Sequence, residues 1–438
     1  MTQANGYISK SNDTTIPLVS TFIAGWLVGT YIAACLSLYT ILASISFIQV
    51  WMPTVCITTI CLIWLGGASL NFPTTPRALV LYLYRLVFRP ATIVSIGTAI
   101  YCGAISGPAT GWDPLDFWLF KTHYILTEPN REAVESLLTN GRHPFLLMYL
   151  LTPIAVLFGN VAGPILWWVF WILLPFLLVS FARTILTERE NSLLVSTCLV
   201  YGMLTLPLIE NHALLYGYAE LPLAVLSLCM SFHGYKAISM GGWKHWLYFV
   251  LYCFLATQIK NSGLLYSTVC ICSVFAILIF RRLSSLSRAH ILMVSGLITA
   301  IAAFSFWLVP NSEAWRALLD AHLGDTSIST ANIKLIFDVL MRAFIVNQSY
   351  STAVPLLFFS LLFWKPSNAL EHDGCRFLAL NLLGIVGAIV ILLSLDPRFL
   401  GNSLPELDTS FSRLFLPSYP IIVLLSITRI KSLTRARQ

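Results

Sequence analysis

Charge is scarce in this chain: Asp, Glu, Lys and Arg make up only 10% of its 438 residues, against about 25% in a soluble globular domain. That scarcity excludes an ordinary water-soluble enzyme, and no stretch has the composition of a separate soluble domain. Neither G-x-x-x-x-G-K-[ST] nor G-x-G-x-x-G occurs, so no nucleotide cradle is evident. The C-x-x-C spacing of a redox or zinc pair is missing too, because Cys270 and Cys272 stand only two apart. All ten cysteines but Cys375 lie in apolar runs, where the thiol behaves as a small hydrophobe, and no disulfide is expected. The first sixteen residues are polar, with Lys10 their only base and no short apolar core after them, so no secretory leader is expected.

Apolar runs fill the space that charge leaves. The chain is 57% hydrophobic, its mean hydropathy is +0.80, and runs near the 20 or so residues that a span needs recur from end to end. Spans are expected at 17–40, 44–69, 91–108, 164–182, 191–209, 221–238, 245–261, 263–280, 290–309, 350–364, 377–395 and 413–428. The fold class that follows is an all-α polytopic membrane protein, a single domain with about twelve transmembrane helices.

Orientation comes from the basic residues, which favour cytoplasmic loops. With the N-terminus inside, 17 of the 26 Lys and Arg residues fall on the cytoplasmic side and 14 of the 19 acidic residues fall outside. The net charge of +7 therefore reflects membrane-flanking loops and gives no reason to expect nucleic acid. Parity also constrains the apolar stretch 144–160. If it crossed, every later basic loop would change sides, so it is expected to lie at, or dip into, the outer face; a tight hairpin at Gly159–Pro164 is the competing reading. The outward segments 109–143, 210–220, 310–349 and 396–412 are the polar ones, which puts any chemistry on that side.

The densest polar cluster is Gly111-Trp112-Asp113-Pro114-Leu115-Asp116, followed by Phe117, Trp118 and Lys121. Asp113 and Asp116 are three apart and share a face if helical. They also make a sound helix start, with Asp113 as N-cap and Pro114 at the first position. Capping and general-base catalysis are compatible roles, since a capping carboxylate is an oriented one. Next comes Tyr216-Gly217-Tyr218-Ala219-Glu220-Leu221-Pro222, a carboxylate at the mouth of a span. Burying it costs several kcal/mol unless it is paired or wet. It reads either as part of an interfacial belt or as a second acid or metal ligand beside Asp113. Lys260-Asn261-Ser262-Gly263 interrupts two apolar runs; the lysine either snorkels or holds a lipid phosphate at the interface, and Asn261 and Gly263 make the turn. Arg413 opens the last run, where it pairs with Asp408 or binds two phosphate oxygens through its planar guanidinium.

Taken in order, Gly111-Trp112-Asp113 through Trp118 and Lys121, His143-Pro144, Gly217-Tyr218-Ala219-Glu220-Leu221-Pro222, Lys260-Asn261-Ser262-Gly263-Leu264-Leu265 and Thr409-Ser410-Phe411-Ser412-Arg413 resemble bacterial GT-C glycosyltransferases. The likeness is to the integral-membrane enzymes grouped with lipopolysaccharide-modifying and protein-mannosyl transferases, and it is spread over about 105–425. It implies a GT-C-like bundle with juxtamembrane helices in the first periplasmic loop, set in the bacterial inner membrane. It implies further an inverting transfer, on the periplasmic face, from a polyprenyl-phosphate sugar to a glycan, lipid or protein acceptor. Asp113 matches the family's catalytic base, with Asp116 as helper. Glu220 stands where relatives carry aspartate, and Lys260 matches a lysine of a T-K-N-E-G pattern in which Ser262 here replaces the acid. His143 takes the place of a tyrosine. Lys121, Lys260 and Arg413 are the expected charges for the departing phosphate, and Trp112 and Tyr218 can pack on sugar or lipid. The resemblance leaves a divalent cation open as cofactor. The rival readings are a transporter or flippase of lipid-linked saccharide, a polysaccharide polymerase and a membrane scaffold.

Overall fold

The structure, a computed structural model, describes residues 16–39, 47–66, 97, 120–127, 145–185, 219–282, 338–342, 354–357, 369–395, 411 and 413–436. No strand occurs among them. The helices are α1 (Leu18–Tyr39), α2 (Phe47–Gly66), α3 (Phe120–Thr127), α4 (Leu146–Phe158), α5 (Ala162–Ile185), α6 (Glu220–Met240), α7 (Trp243–Ile259), α8 (Ser262–Arg282), α9 (Ala369–Leu395) and α10 (Tyr419–Ala436). Six of these, α1, α2, α5, α6, α8 and α9, are long and apolar enough to cross a membrane. The chain is thus a helical membrane protein. The expected spans at 91–108, 191–209 and 290–309, and most of 350–364, lie outside the described residues.

Apolar runs fold as helices here because a segment surrounded by hydrocarbon must satisfy its own backbone donors and acceptors. Helix α6 is the axis of the packing. Every residue from Glu220 to Ile238 is buried, with α5, α7, α8, α9 and α10 packed around it. Gly241, in the left-handed conformation, closes it by donating its N–H to Ala237 O. Helix α2, by contrast, packs mainly on α1 and leaves Met52, Ile57, Ile60 and Trp64 exposed among the described residues, as a lipid-facing helix does. The α1–α2 contact is close: a Cβ on Gly25 would stand 2.6 Å from Thr59 Cα, and one on Gly29 would stand 2.5 Å from Val55 Cα. Thr58 Oγ1 donates to Gly25 O at 2.9 Å and Trp51 Nε1 to Thr30 Oγ1 at 2.9 Å, so the two helices are pinned as well as packed.

Side-chain contacts sort the helix ends into two groups. At one end Ser20 meets His233, Tyr248 reaches Leu62 O, Lys236 reaches Thr184 O and Lys244 reaches Gly66 O. Gly374, near the start of α9, lies against Ser239 and Tyr235, and Cys375 touches Thr428 of α10. The other end holds Glu220, Lys260 and Arg413. Lys236, Lys244 and Arg376, placed on one side of the membrane from the sequence, therefore share one end of the bundle. Glu220, Lys260 and Arg413, placed on the other side, share the opposite end.

Helix α4 occupies most of the stretch 144–160. Its 13 residues extend about 20 Å, short of the roughly 30 Å hydrocarbon core. Leu146 to Pro153 are all buried, with Phe145 stacked on Tyr31 and Tyr149 against Phe47, whereas Val156, Leu157 and Phe158 are exposed. The helix does not lie flat on the surface. Its head is sunk among α1, α3, α5 and α7, and a tight 3-10 turn at Gly159–Val161 leads straight into α5.

Candidate functional site

Three segments far apart in sequence meet at the Glu220 end. Glu220 is the first residue of α6, Lys260 breaks α7, and Arg413 stands just before the Leu416–Ser418 turn that leads into α10. Glu220 Oε1 accepts a hydrogen bond from Lys260 Nζ at 2.7 Å and another from Arg413 Nε at 3.2 Å. The carboxylate side chain is 4% exposed, against 14% for Lys260 and 26% for Arg413. The anion is therefore the floor of the cluster and the cations are its rim. Two positive groups on one negative group leave a net charge of +1. Glu220 Oε2 is buried and has no hydrogen-bond partner on another described residue.

Local structure explains how Lys260 gets there. Its backbone is extended, with φ −157° and ψ 153°, so α7 stops and α8 starts within three residues. Gly263 N–H donates to Lys260 O at 2.8 Å and Leu264 N–H to Asn261 O at 3.0 Å. The turn works only because residue 263 has no side chain, since a Cβ there would stand 1.8 Å from Ala256 O. Asn261 and Gly263 thus make the turn expected from sequence. Arg413 is held less directly. Tyr266 of α8, buried, donates its hydroxyl to Leu414 O, and Phe411 stacks on Phe415 with ring centroids 5.5 Å apart.

Lys121 lies on α3 and is buried. Its neighbour Thr122 donates to Met148 O at 3.3 Å, which places Lys121 beside the sunken head of α4. Burial pushes its ammonium below the ordinary lysine pKa. Counting heights along the bundle, Glu220 precedes His233 by thirteen residues, about 20 Å of helix, and His233 is level with Ser20. That brings the cluster to the height of Tyr31–Ala34 on α1, where Phe145 also stacks. Lys121 therefore belongs to the same end of the molecule. Trp112, Asp113, Asp116, His143 and Tyr218 lie outside the described residues.

A second polar cluster, which sequence reasoning missed, occupies the other end. His233 Nε2 meets Ser20 Oγ at 2.8 Å, Ser20 Oγ meets Tyr252 OH at 2.9 Å, and His233 Nδ1 meets His245 Nδ1 at 3.0 Å. Tyr252 also donates to Ser20 O. One direction satisfies the chain with both rings neutral. With Tyr252 donating to Ser20 O, His245 Nδ1–H donates to His233 Nδ1, His233 Nε2–H donates to Ser20 Oγ and Ser20 donates to Tyr252 OH, which leaves His245 Nε2 an acceptor without a partner among the described residues. The network ties α1, α6 and α7 together. Histidine inside apolar runs was the available signal, because an ionisable group within a span warrants a partner or a role.

No family model, curated protein or solved structure matches this chain.

Proposed function

We propose that the chain is an inverting GT-C-type glycosyltransferase. It moves one sugar from a polyprenyl-phosphate donor to an envelope acceptor at the periplasmic face of the bacterial inner membrane. One observation carries the reading most: a net-positive cluster of Lys260 and Arg413 on the buried Glu220, at the bundle end opposite Lys236 and Lys244. An acidic lipid headgroup arriving through the bilayer is the ligand such a rim suits, and a planar guanidinium beside an ammonium suits a phosphate in particular.

In this reading the acceptor hydroxyl oxygen attacks the anomeric carbon from the face opposite the phosphate. The carbon–oxygen bond to phosphate breaks, and its electron pair leaves with the lipid phosphate. Asp113 takes the proton of the acceptor hydroxyl, with Asp116 as its helper. Lys260 and Arg413, reinforced by Lys121, stabilise the charge that grows on the phosphate. Glu220 orients the two cations rather than accepting a proton, since its bonded oxygen already serves both. The same crowding makes it a poor ligand for a divalent cation, which would meet two positive groups at close range. Trp112, His143 and Tyr218 are assigned to binding of the sugar and lipid.

The test is to incubate purified protein with radiolabelled polyprenyl-phosphate sugars and whole envelope, then ask what becomes labelled. Label should pass to an envelope component, and Asp113→Asn should abolish transfer while leaving the protein folded in detergent. No labelled product with any donor, or full activity in Asp113→Asn, refutes the reading or the base assignment respectively. The buried histidine chain is the one observation that favours a transporter or flippase of lipid-linked saccharide, because such proteins use ionisable groups within their spans. That rival requires lipid-linked sugar to change leaflet in vesicles without acceptor, and to stop doing so in His233→Gln.

A further inference from the structure

Glu220 carries an acceptor that its neighbours leave unanswered. Oε1 takes the hydrogen bonds of both Lys260 and Arg413. Oε2 has no partner on another described residue, although Glu220 as a whole is only 3% exposed. Glu220's own backbone N–H also bears on the carboxylate, but a buried ionised oxygen with no donor from a neighbouring residue is costly, and native structures seldom tolerate it. Because both cations sit on the Oε1 side and are more exposed than the carboxylate, an incoming anion stops at the rim. For a group joined to that anion, the buried Oε2 is the nearest acceptor of Glu220 that no neighbouring side chain already serves.

We propose that Glu220 Oε2 accepts a hydroxyl of the phosphate-linked sugar, so that the cluster reads phosphate and sugar together and Glu220 is a specificity-determining residue. The inference rests on the donor class proposed above. Chemistry narrows the partner. A phosphate diester and a polyprenyl tail have no donor to offer, and a phosphate oxygen turned toward Oε2 would be repelled. A sugar ring presents several hydroxyls next to the ester oxygen. A site built to bond a hydroxyl rejects the analogue lacking it far more strongly than an apolar pocket rejects an extra group.

The experiment measures binding of three sets of probes to the full chain in detergent. These are a bare polyprenyl monophosphate, a panel of hexosyl polyprenyl phosphodiesters, and deoxy analogues of the tightest hexosyl donor, each missing one hydroxyl. One deoxy analogue should bind roughly tenfold to a hundredfold more weakly than its parent, the span expected for a hydrogen bond to a charged group. Glu220→Gln should shrink that difference while binding the bare monophosphate at least as well as the parent protein, because one negative charge has left the phosphate site. Equal binding of all hexosyl, deoxy and bare forms by the unaltered protein overturns the hydroxyl assignment and leaves the phosphate site standing. Failure of every phosphate lipid to bind overturns both. The deoxy series needs no substitution, so it decides the matter even if Glu220→Gln does not fold.

Discussion

Removing Lys260 is the perturbation whose size the geometry predicts best. A hydrogen bond to a charged group is worth about 1.5–3 kcal/mol, and stripping one partner from a fully buried pair costs about 3–5 kcal/mol. Lys260 Nζ stands 2.7 Å from Glu220 Oε1, which argues for the strong end. Two facts pull the value down: the lysine side chain is 14% exposed, and Arg413 still bonds the same oxygen at 3.2 Å. Lys260→Met should therefore destabilise the fold by about 2 kcal/mol, within the range for a charge-assisted bond. Glu220→Gln should cost a similar amount by leaving two cations without their shared anion. In the double variant only Arg413 is left without its anion, so its loss should fall short of the sum of the single losses by about 1.5 kcal/mol, above the ceiling of about 1 kcal/mol typical of surface pairs. Reversible unfolding in mixed micelles, titrated with a denaturing detergent, measures all four corners of this cycle. Additivity within about 0.5 kcal/mol would mean that the two residues do not hold each other, and the argument from convergence would fail.

Gly263→Ala should prevent correct assembly of the α7–α8 turn, because its Cβ would stand 1.8 Å from Ala256 O; yield of monodisperse protein after extraction checks this, and normal yield would contradict it. Gly29→Ala should push α1 and α2 apart and cost about 1–3 kcal/mol, the usual range for overpacking, since its Cβ would stand 2.5 Å from Val55 Cα; detergent unfolding reads the loss. Tyr266→Phe removes the hydroxyl that holds Leu414 O and so loosens Arg413 without changing any charge. It should raise the KM for lipid-linked donor several-fold with a smaller change in kcat, whereas an equal fall in both with unfolding would mark a merely structural tyrosine.

How much of this was legible in the sequence differs between fold and site. Among the described residues the expected apolar windows fall on helices, because mean hydropathy reports what hydrocarbon selects. The expected windows 17–40, 44–69 and 245–261 correspond to Leu18–Tyr39, Phe47–Gly66 and Trp243–Ile259. Ends were read poorly where polar residues continue a helix. Helix α9 begins at Ala369 and carries Glu371, His372 and Asp373 inside it, and α10 runs on through Lys431 and Arg435 to Ala436. A backbone goes on making helical hydrogen bonds after its side chains leave the apolar layer, so hydropathy stops before the helix does. At the site, Glu220, Lys260 and Arg413 could each be picked out because a charge at a span mouth is expensive. That all three share one carboxylate oxygen could not be read, since it depends on how α6, α7 and the segment before α10 pack. The histidine chain stayed hidden for a different reason: Ser20, His233, His245 and Tyr252 sit in runs that look uniformly apolar, and only antiparallel packing of α6 and α7 brings the two rings to 3.0 Å.

The central claim is that the base and the cation rim share one hollow. The direct measurement places cysteines at 113 and 260, in a background lacking the native ones, and treats membranes with a short bifunctional thiol-reactive reagent such as a bis-maleimide. The account predicts an intramolecular cross-link between the two positions. Two cysteines that react separately, from opposite sides of the membrane, and never with each other would contradict it.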